Sequence, residues 1–211
     1  MSRKATISTS ASEDRLESLI RQRLEPGADK ARIDQRIWDL FGEEWCVMFT
    51  DLSGFSRKVA EFGIIHFLQT IYESEQLMLP VIEDHDGILL KTDGDSLLVI
   101  FRNATKTLQC ALAMQAAIAR HNQDRIDEEK VLLCIGLGCG PVLRIGDADV
   151  FGAEVNAASK LGEDVAQAGE ILVTGPFKAA CEPLRQVDGY DLLQDAPHGT
   201  DSAYRVRYRL S

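Results

Sequence analysis

Residues 87–101, Gly-Ile-Leu-Leu-Lys-Thr-Asp-Gly-Asp-Ser-Leu-Leu-Val-Ile-Phe, constrain the fold more than any other segment. Two short apolar runs, 87–91 and 96–101, flank Asp93-Gly94. An Asp-Gly step between such runs is a tight-hairpin signal, because glycine adopts positive φ without steric cost. The segment therefore predicts two antiparallel strands in the middle of the chain.

Around that hairpin, strand-like and helix-like runs alternate. Val/Ile/Phe-rich residues 44–50 predict a first strand. A helical segment follows over about 55–83, broken near Gly63, with Pro80 expected to kink or end a turn. After the hairpin, 104–121 predicts a helix with Leu108, Ala111, Leu112, Gln115 and Ile118 facing inward or nearly so. Residues 131–138 predict a strand, and Cys139-Gly140-Pro141 a turn into Val142-Leu143. A helix over 153–166, a strand at 171–173, a short helix near 176–181 and strands near 186–193 and 202–209 complete the chain. The order β-α-α-β-β-α-β with a central hairpin describes an α+β domain of ferredoxin-like type, its sheet mostly antiparallel.

Ahead of this lies a different pattern. Residues 1–9 read as disordered, and Ser10-Ala11-Ser12-Glu13 fits a capping box. Leu16, Leu19, Ile20 and Leu24 follow at helical spacing until Pro26-Gly27. A second helix is expected over Arg32–Phe41, with Ile33, Ile37, Trp38 and Phe41 on one face. The chain is thus divided into an N-terminal helical arm, 1–42, and a domain, 43–211. The arm either packs on the domain or serves dimerisation or regulation.

Composition narrows the function. A net charge of −10 with a pI near 4.9 argues against nucleic acid as a partner, since such binders carry a basic footprint. No apolar stretch approaches the ~20 residues that cross a bilayer, so no membrane partner is expected. The five cysteines, Cys46, Cys110, Cys134, Cys139 and Cys181, form no CxxC pair. They read as reduced, mostly buried thiols of a cytoplasmic protein.

Three segments carry chemistry. Asp51 ends the first strand and is followed by Leu52-Ser53-Gly54-Phe55-Ser56. A carboxylate there can hold a hard divalent cation, and the backbone that opens the next helix can hold phosphate oxygens. Taken alone, Asp51 or Ser53 reads as an ordinary helix cap. Asp95, beside Gly94 at the hairpin, can share that cation, with Lys91 nearby; alone, this is a solvated hairpin tip. In Asp149-Val150-Phe151-Gly152-Ala153-Glu154-Val155-Asn156-Ala157-Ala158-Ser159-Lys160, Asn156 and Lys160 lie four apart on one helix face. Together they could stabilise a phosphate or an oxyanion; singly they are a solvated face.

The three segments together resemble the class III nucleotidyl cyclases, the catalytic domain of adenylate and guanylate cyclases, over about residues 44–195. Phe49-Thr50-Asp51-Leu52-Ser53-Gly54-Phe55-Ser56 is similar to that family's first metal-aspartate motif. Lys91-Thr92-Asp93-Gly94-Asp95 is similar to its lysine and second-aspartate hairpin. Ile135-Gly136-Leu137-Gly138-Cys139-Gly140-Pro141-Val142 resembles its glycine-rich strand, and Asp149 to Asn156 its base-contacting and transition-state segments.

The resemblance implies roles. Asp51 and Asp95 would bind two Mg²⁺ or Mn²⁺ ions, and residues Leu52, Ser53, Gly54, Phe55 and Ser56 would cradle the triphosphate. Lys91 and Asp149 would read the base. Asn156 would orient the ribose while its 3′-hydroxyl attacks the α-phosphate, and Lys160 would neutralise charge there. The resemblance also implies a homodimer with sites at the interface, a metal half from one protomer and a base half from the other.

Some residues depart from the family pattern. Lys160 stands where arginine is usual and lacks the planar fork. Phe151 replaces a larger aromatic. The terminal-phosphate lysine has no clear match, with Arg205 and Arg207 as candidates. The Lys91/Asp149 pair suits adenine, whereas the chain's organisation resembles bacterial pyrimidine cyclases of anti-phage systems. Those make cyclic UMP or cyclic CMP for a separate effector protein. UTP is the narrow expectation, adenylate cyclase the alternative, and a weakened cyclase-like nucleotide-binding module a further one.

Overall fold

The computed structural model describes residues 11–54, 61–147 and 149–210. Its centre is an eight-stranded sheet in the order β2-β3-β1-β4-β6-β8-β7, with β5 paired to β4 off this path. β1 (Gly42–Leu52) lies between β3 (Ser96–Phe101) and β4 (Leu133–Ile145), antiparallel to both. β2 (Ile88–Asp93) forms the expected hairpin with β3. β6 (Ile171–Thr174), β7 (Val187–Leu192) and β8 (Ala203–Tyr208) extend the other side, and among the described residues only the β4–β6 pairing is parallel.

Period-two alternation in β1 and β3 sorts their side chains between two faces. Cys46, Met48 and Leu52 join Leu97, Val99 and Phe101 in the main core, packed under α3 (Ile64–Asp84) and α4 (Ala104–His121) through Met78, Ile82, Leu108, Ala111 and Met114. Trp45, Val47, Leu98 and Ile100 face the opposite way. They pack with Val142, Val150 of β5 (Asp149–Phe151) and Val155 of α5 (Ala153–Lys160). Segments that carry candidate site residues gather on this second face.

α4 begins and ends where its periodicity predicts, and Gln115 is buried, donating to the Leu133 carbonyl at 3.0 Å. Asn103 caps the helix by accepting from Lys106 N–H at 2.9 Å. α3 follows Gly63 (φ 86°), and its helical run continues through Pro80 to Asp84. The part of the expected helix before it, over 55–60, lies outside the described residues.

Four expectations are corrected. β4 does not turn at Cys139-Gly140-Pro141 but runs on to Ile145, with Pro141 opposite Glu44. At Pro141 the strand is flanked by β1 alone, between the stretches paired with β6 and β5. A residue without an N–H is tolerated on such an unpaired flank.

That continuation places Cys139 directly opposite Cys46, with Cα atoms 4.0 Å apart, and the two are joined as a disulfide rather than reduced. Cys110, Cys134 and Cys181 are free.

The expected helix over 153–166 divides into α5 and a π-helical turn, Leu161–Val165. Gly162 permits this, because a Cβ there would lie 3.0 Å from both Gly136 N and Phe49 O.

In the arm, Ile33, Ile37 and Phe41 of α2 (Lys30–Phe41) are buried, while Trp38 is 43% exposed. The buried three are four residues apart, and Trp38 lies a further ~100° round the helix. Leu19 of α1 (Ala11–Leu24) joins them against Leu143 and Ile145 of β4. The arm therefore packs on the outer end of β4, the strand that carries β5. α6 (Gly175–Ala180), capped by Thr174 accepting from Phe177 N–H, completes the elements.

Candidate active site

Asp51 stands two residues beyond Phe49 on β1, on the face that carries Trp45 and Val47. The β1–β3 register, Thr50 opposite Leu97, brings the neighbouring Ser96 alongside it. Ser96 Oγ donates to Asp51 Oδ1 at 3.2 Å. Asp95 follows Gly94, whose φ of 60° makes the hairpin turn. The structure thus unites two carboxylates from segments 44 residues apart, as the hairpin and first strand predict.

Their electrostatics set them apart from surface acids. Burial is the main cause that pushes the Asp51 carboxyl up to about 6, followed by repulsion from Asp95. Ser96 and the Leu52 backbone pull the other way by hydrogen bonding, and the charge of Glu163 adds to the rise. Burial also raises the Asp95 carboxyl. Asp95 Oδ2 is buried with no hydrogen-bond partner among the described residues. A buried, unpartnered acceptor is costly.

An oxygen-preferring divalent cation answers both problems: it supplies the missing partner and favours the ionised form. Two acids and an orphaned oxygen fit such an ion. Among the described residues no cluster of three or more His, Cys, Asp or Glu side chains forms a metal cage. Further ligands would have to come from phosphate oxygens or water, as is usual for Mg²⁺.

The expected phosphate cradle is only partly available. Leu52 is a core side chain, 3% exposed, and its backbone already serves the two aspartates. Ser53 N–H donates to the Leu132 carbonyl at 2.8 Å. Gly54 (φ 87°) turns the chain here. Phe55 and Ser56 lie outside the described residues.

Lys91 and Asp149 do meet. Lys91 Nζ pairs with Asp149 Oδ2 at 3.1 Å across 58 residues of sequence. Lys91 is in register with Leu98, which puts it on the face of Asp51. Asp149 Oδ1 is occupied, accepting from Val150 N–H at 2.9 Å.

Asn156 and Lys160 are both exposed on α5. Lys160 Nζ is held by Asp164 Oδ2 at 2.6 Å, and that hydrogen bond raises its pKa. Among the described residues no hydrogen bond or ion pair links either residue to Asp51 or Asp95. Arg205 pairs with Glu170 at 2.6 Å and Arg207 with Asp191 at 3.0 Å, so both candidates for a phosphate contact are engaged elsewhere.

Sequence reasoning missed Ser96 and Glu163. Ser96 was legible in principle, since it follows Asp95 directly. Glu163, whose charge acts on Asp51, was not, because the π turn that carries it depends on Gly162 against β1 and β4.

This chain belongs to the adenylate and guanylate cyclase catalytic domain family, whose model matches residues 42–190. It is 33% identical over 128 residues to the serine/threonine-protein kinase pkn2 of Myxococcus xanthus, covering 61% of this chain and 15% of that one. It is 27% identical over 128 residues to putative adenylate cyclase 3 of Rhizobium meliloti, covering 61% and 22%. The chain therefore spans less than a quarter of the length of either relative. Among solved structures, the guanylyl cyclase Cya2 superposes with a TM-score of 0.65 at 21% identity, covering 81% of this chain and 98% of that one.

Proposed function

We propose that this chain is a nucleotidyl cyclase, converting a nucleoside triphosphate to a 3′,5′-cyclic nucleotide and pyrophosphate. One observation carries this beyond family membership. Asp51, at the end of β1, and Asp95, in the β2–β3 turn, meet as half-buried acids with one orphaned oxygen, on the face that holds the Lys91–Asp149 pair.

In the reaction the ribose 3′-oxygen bonds to the α-phosphorus, the bond from that phosphorus to the bridging oxygen breaks, and the 3′-hydroxyl proton is lost. Asp51 and Asp95 would hold two Mg²⁺ or Mn²⁺ ions, which when bound neutralise phosphate charge and acidify the hydroxyl. Ser96 keeps the Asp51 carboxylate turned for that task. Asn156 orients the ribose. Lys160 exchanges Asp164 for the α-phosphate, where it meets charge that grows during the reaction.

Among the described residues, Asn156 and Lys160 make no hydrogen bond or ion pair with the aspartates of their own chain, which supports a homodimer. One copy presents the metal half to the base half of the other.

The base is read by a pair with few hydrogen bonds to give. Val150 takes Asp149 Oδ1, leaving Oδ2 to accept one base N–H while Lys91 donates to an adjacent acceptor. Guanine presents N1–H and N2–H side by side and asks for two acceptors. Uracil N3–H beside a carbonyl and adenine N6–H beside N1 both fit that pair; on the resemblance to bacterial pyrimidine cyclases, UTP and cyclic UMP are the leading reading, the product serving a separate effector protein as in anti-phage signalling. ATP is the second reading, favoured by the name of the Rhizobium meliloti relative.

The test is to incubate the protein with Mn²⁺ and each of ATP, GTP, CTP and UTP, and to separate the products. Cyclic UMP as the main product is expected. Cyclic AMP alone would overturn the uracil reading, and no cyclic product from any of the four would overturn the cyclase.

A further inference from the structure

Glu154 is an acid buried to 6% exposure in the first turn of α5, and no role so far uses it. A carboxylate is rarely buried unless its oxygens are bonded. Here Glu154 Oε2 accepts from Cys139 N–H of β4 at 3.1 Å and from the Thr174 hydroxyl of β6 at 2.5 Å. One side chain therefore ties α5 to two neighbouring strands. Gly152 at the cap position supplies no side-chain bond to the helix start.

The strand beneath is shaped to receive it. A Cβ on Gly138 would lie 2.6 Å from the Glu154 carbonyl oxygen and 3.1 Å from Oε2. A Cβ on Gly140 would lie 3.1 Å from Glu154 Cγ. The glycines let α5 lie directly on β4, and the carboxylate fixes its place along and around the axis.

Asn156 comes two residues after Glu154 and Lys160 six after. At ~100° per residue both project from the side of the helix away from the strand. A roll or slide of α5 would move both at once.

We propose that Glu154 is a positioning residue for the cyclisation, acting through α5 to hold Asn156 and Lys160 at the angle the reaction needs. This rests on the cyclase reading above. A displacement of about 1 Å at reacting groups can cost on the order of 10²-fold in rate, and the loss falls on kcat when the groups act mainly in the transition state. Lys91 and Asp149 are on other elements, so recognition of the base is left intact.

The experiment measures kcat, KM and Tm for the full chain and for Glu154→Ala, Glu154→Gln, Thr174→Val and Met78→Ala. The last truncates a buried side chain of α3, in the core on the other face of the sheet. Glu154→Ala is expected to lower kcat roughly 10- to 100-fold with KM changed less than about 3-fold. Glu154→Gln keeps an acceptor for Cys139 and a partner for Thr174, and is expected to recover kcat to within about 3-fold. Thr174→Val should fall between them, and Met78→Ala should lower Tm with kcat per folded protein unchanged.

The proposal is overturned if Glu154→Ala keeps wild-type kcat, if Gln is as damaging as Ala, or if Met78→Ala loses as much kcat. Should Glu154→Ala not fold, Thr174→Val with unchanged kcat overturns it on its own. A wild-type chain that cyclises none of the four triphosphates overturns the activity itself, an outcome distinct from all of these.

Discussion

Asp51 is an acid in a place where ionising is costly, and its response to pH follows from that. Its folded pKa is raised from an ordinary 3.8 to about 6. A raised folded pKa means that the proton stabilises the folded chain. That contribution is complete below the ordinary value and is lost as pH climbs through about 6. Asp51→Asn cannot ionise and escapes the loss. In the presence of a chelator, its melting temperature should exceed wild type at pH 7.5 and match it below pH 4. Because the group is half in water, screening reduces the difference to about 1 kcal/mol, or a few degrees. A melting-temperature gap that did not change with pH would refute the assignment. The same variant should lose turnover at every pH.

Lys160 gives a second prediction at this scale. It is exposed and paired only with Asp164, so Lys160→Ala should melt within a degree or two of wild type. Its kcat should nevertheless fall at least ~10²-fold, the loss typical of a removed charge-stabilising group. An unchanged kcat would remove Lys160 from the reaction.

At the scale of elements, the glycine-rich strand β4 governs what can lie on it. A Cβ on Gly136 would lie 2.1 Å from the Ala158 carbonyl oxygen and 2.4 Å from Gly162 N, both backbone atoms. Gly136→Ala should therefore push α5 and the π turn off the sheet. Overpacking of this kind costs about 1–3 kcal/mol, measurable as a lower urea midpoint, with activity falling further than stability. The same strand explains why its own reading from sequence failed. Gly140-Pro141 is a strong turn signal locally, but the β1 partner and the missing third neighbour make it strand. The hairpin, by contrast, was legible because its signal is local, and α4 because its apolar period is unbroken over 18 residues.

The disulfide also belongs here. Nothing in the spacing of Cys46 and Cys139, 93 residues apart, points to a bond; only the β1–β4 register brings them opposite. Alkylation of the denatured, non-reduced protein should label the three free cysteines, Cys110, Cys134 and Cys181. Labelling of all five would show the pair to be thiols.

For the whole molecule, the proposed homodimer takes the metal half of each site from one copy and the base half from the other, and the decisive measurement is complementation. Asp51→Ala and Asn156→Ala should each be inactive and should regain activity when mixed, because a mixed dimer restores one complete site. Each of its two composite sites draws one half from each chain, so recovery should approach a quarter of wild type at most. No recovery would count against the shared site. The arm contributes at this scale too. By burying Leu19, Ile33, Ile37 and Phe41 on the end of β4, it braces the strand on which β5, with Asp149, is paired. Of the two roles open for it, packing is the one its contacts display. No helix among the described residues is long and apolar enough to cross a membrane.

The sequence alone determined the residue types and their order: Asp51, Lys91, Asp95, Asp149, Asn156 and Lys160 on strand ends, a hairpin and a helix. Those depend on periodicity and turn chemistry, which act over a few residues. Only the tertiary structure decided which of these groups share a space. It paired Lys91 with Asp149, set Ser96 on Asp51, left Asp95 Oδ2 without a partner among the described residues, bonded Cys46 to Cys139 and buried Glu154 between α5 and the sheet. Each of these depends on strand register and close backbone approach between segments distant in sequence, and no local pattern encodes them.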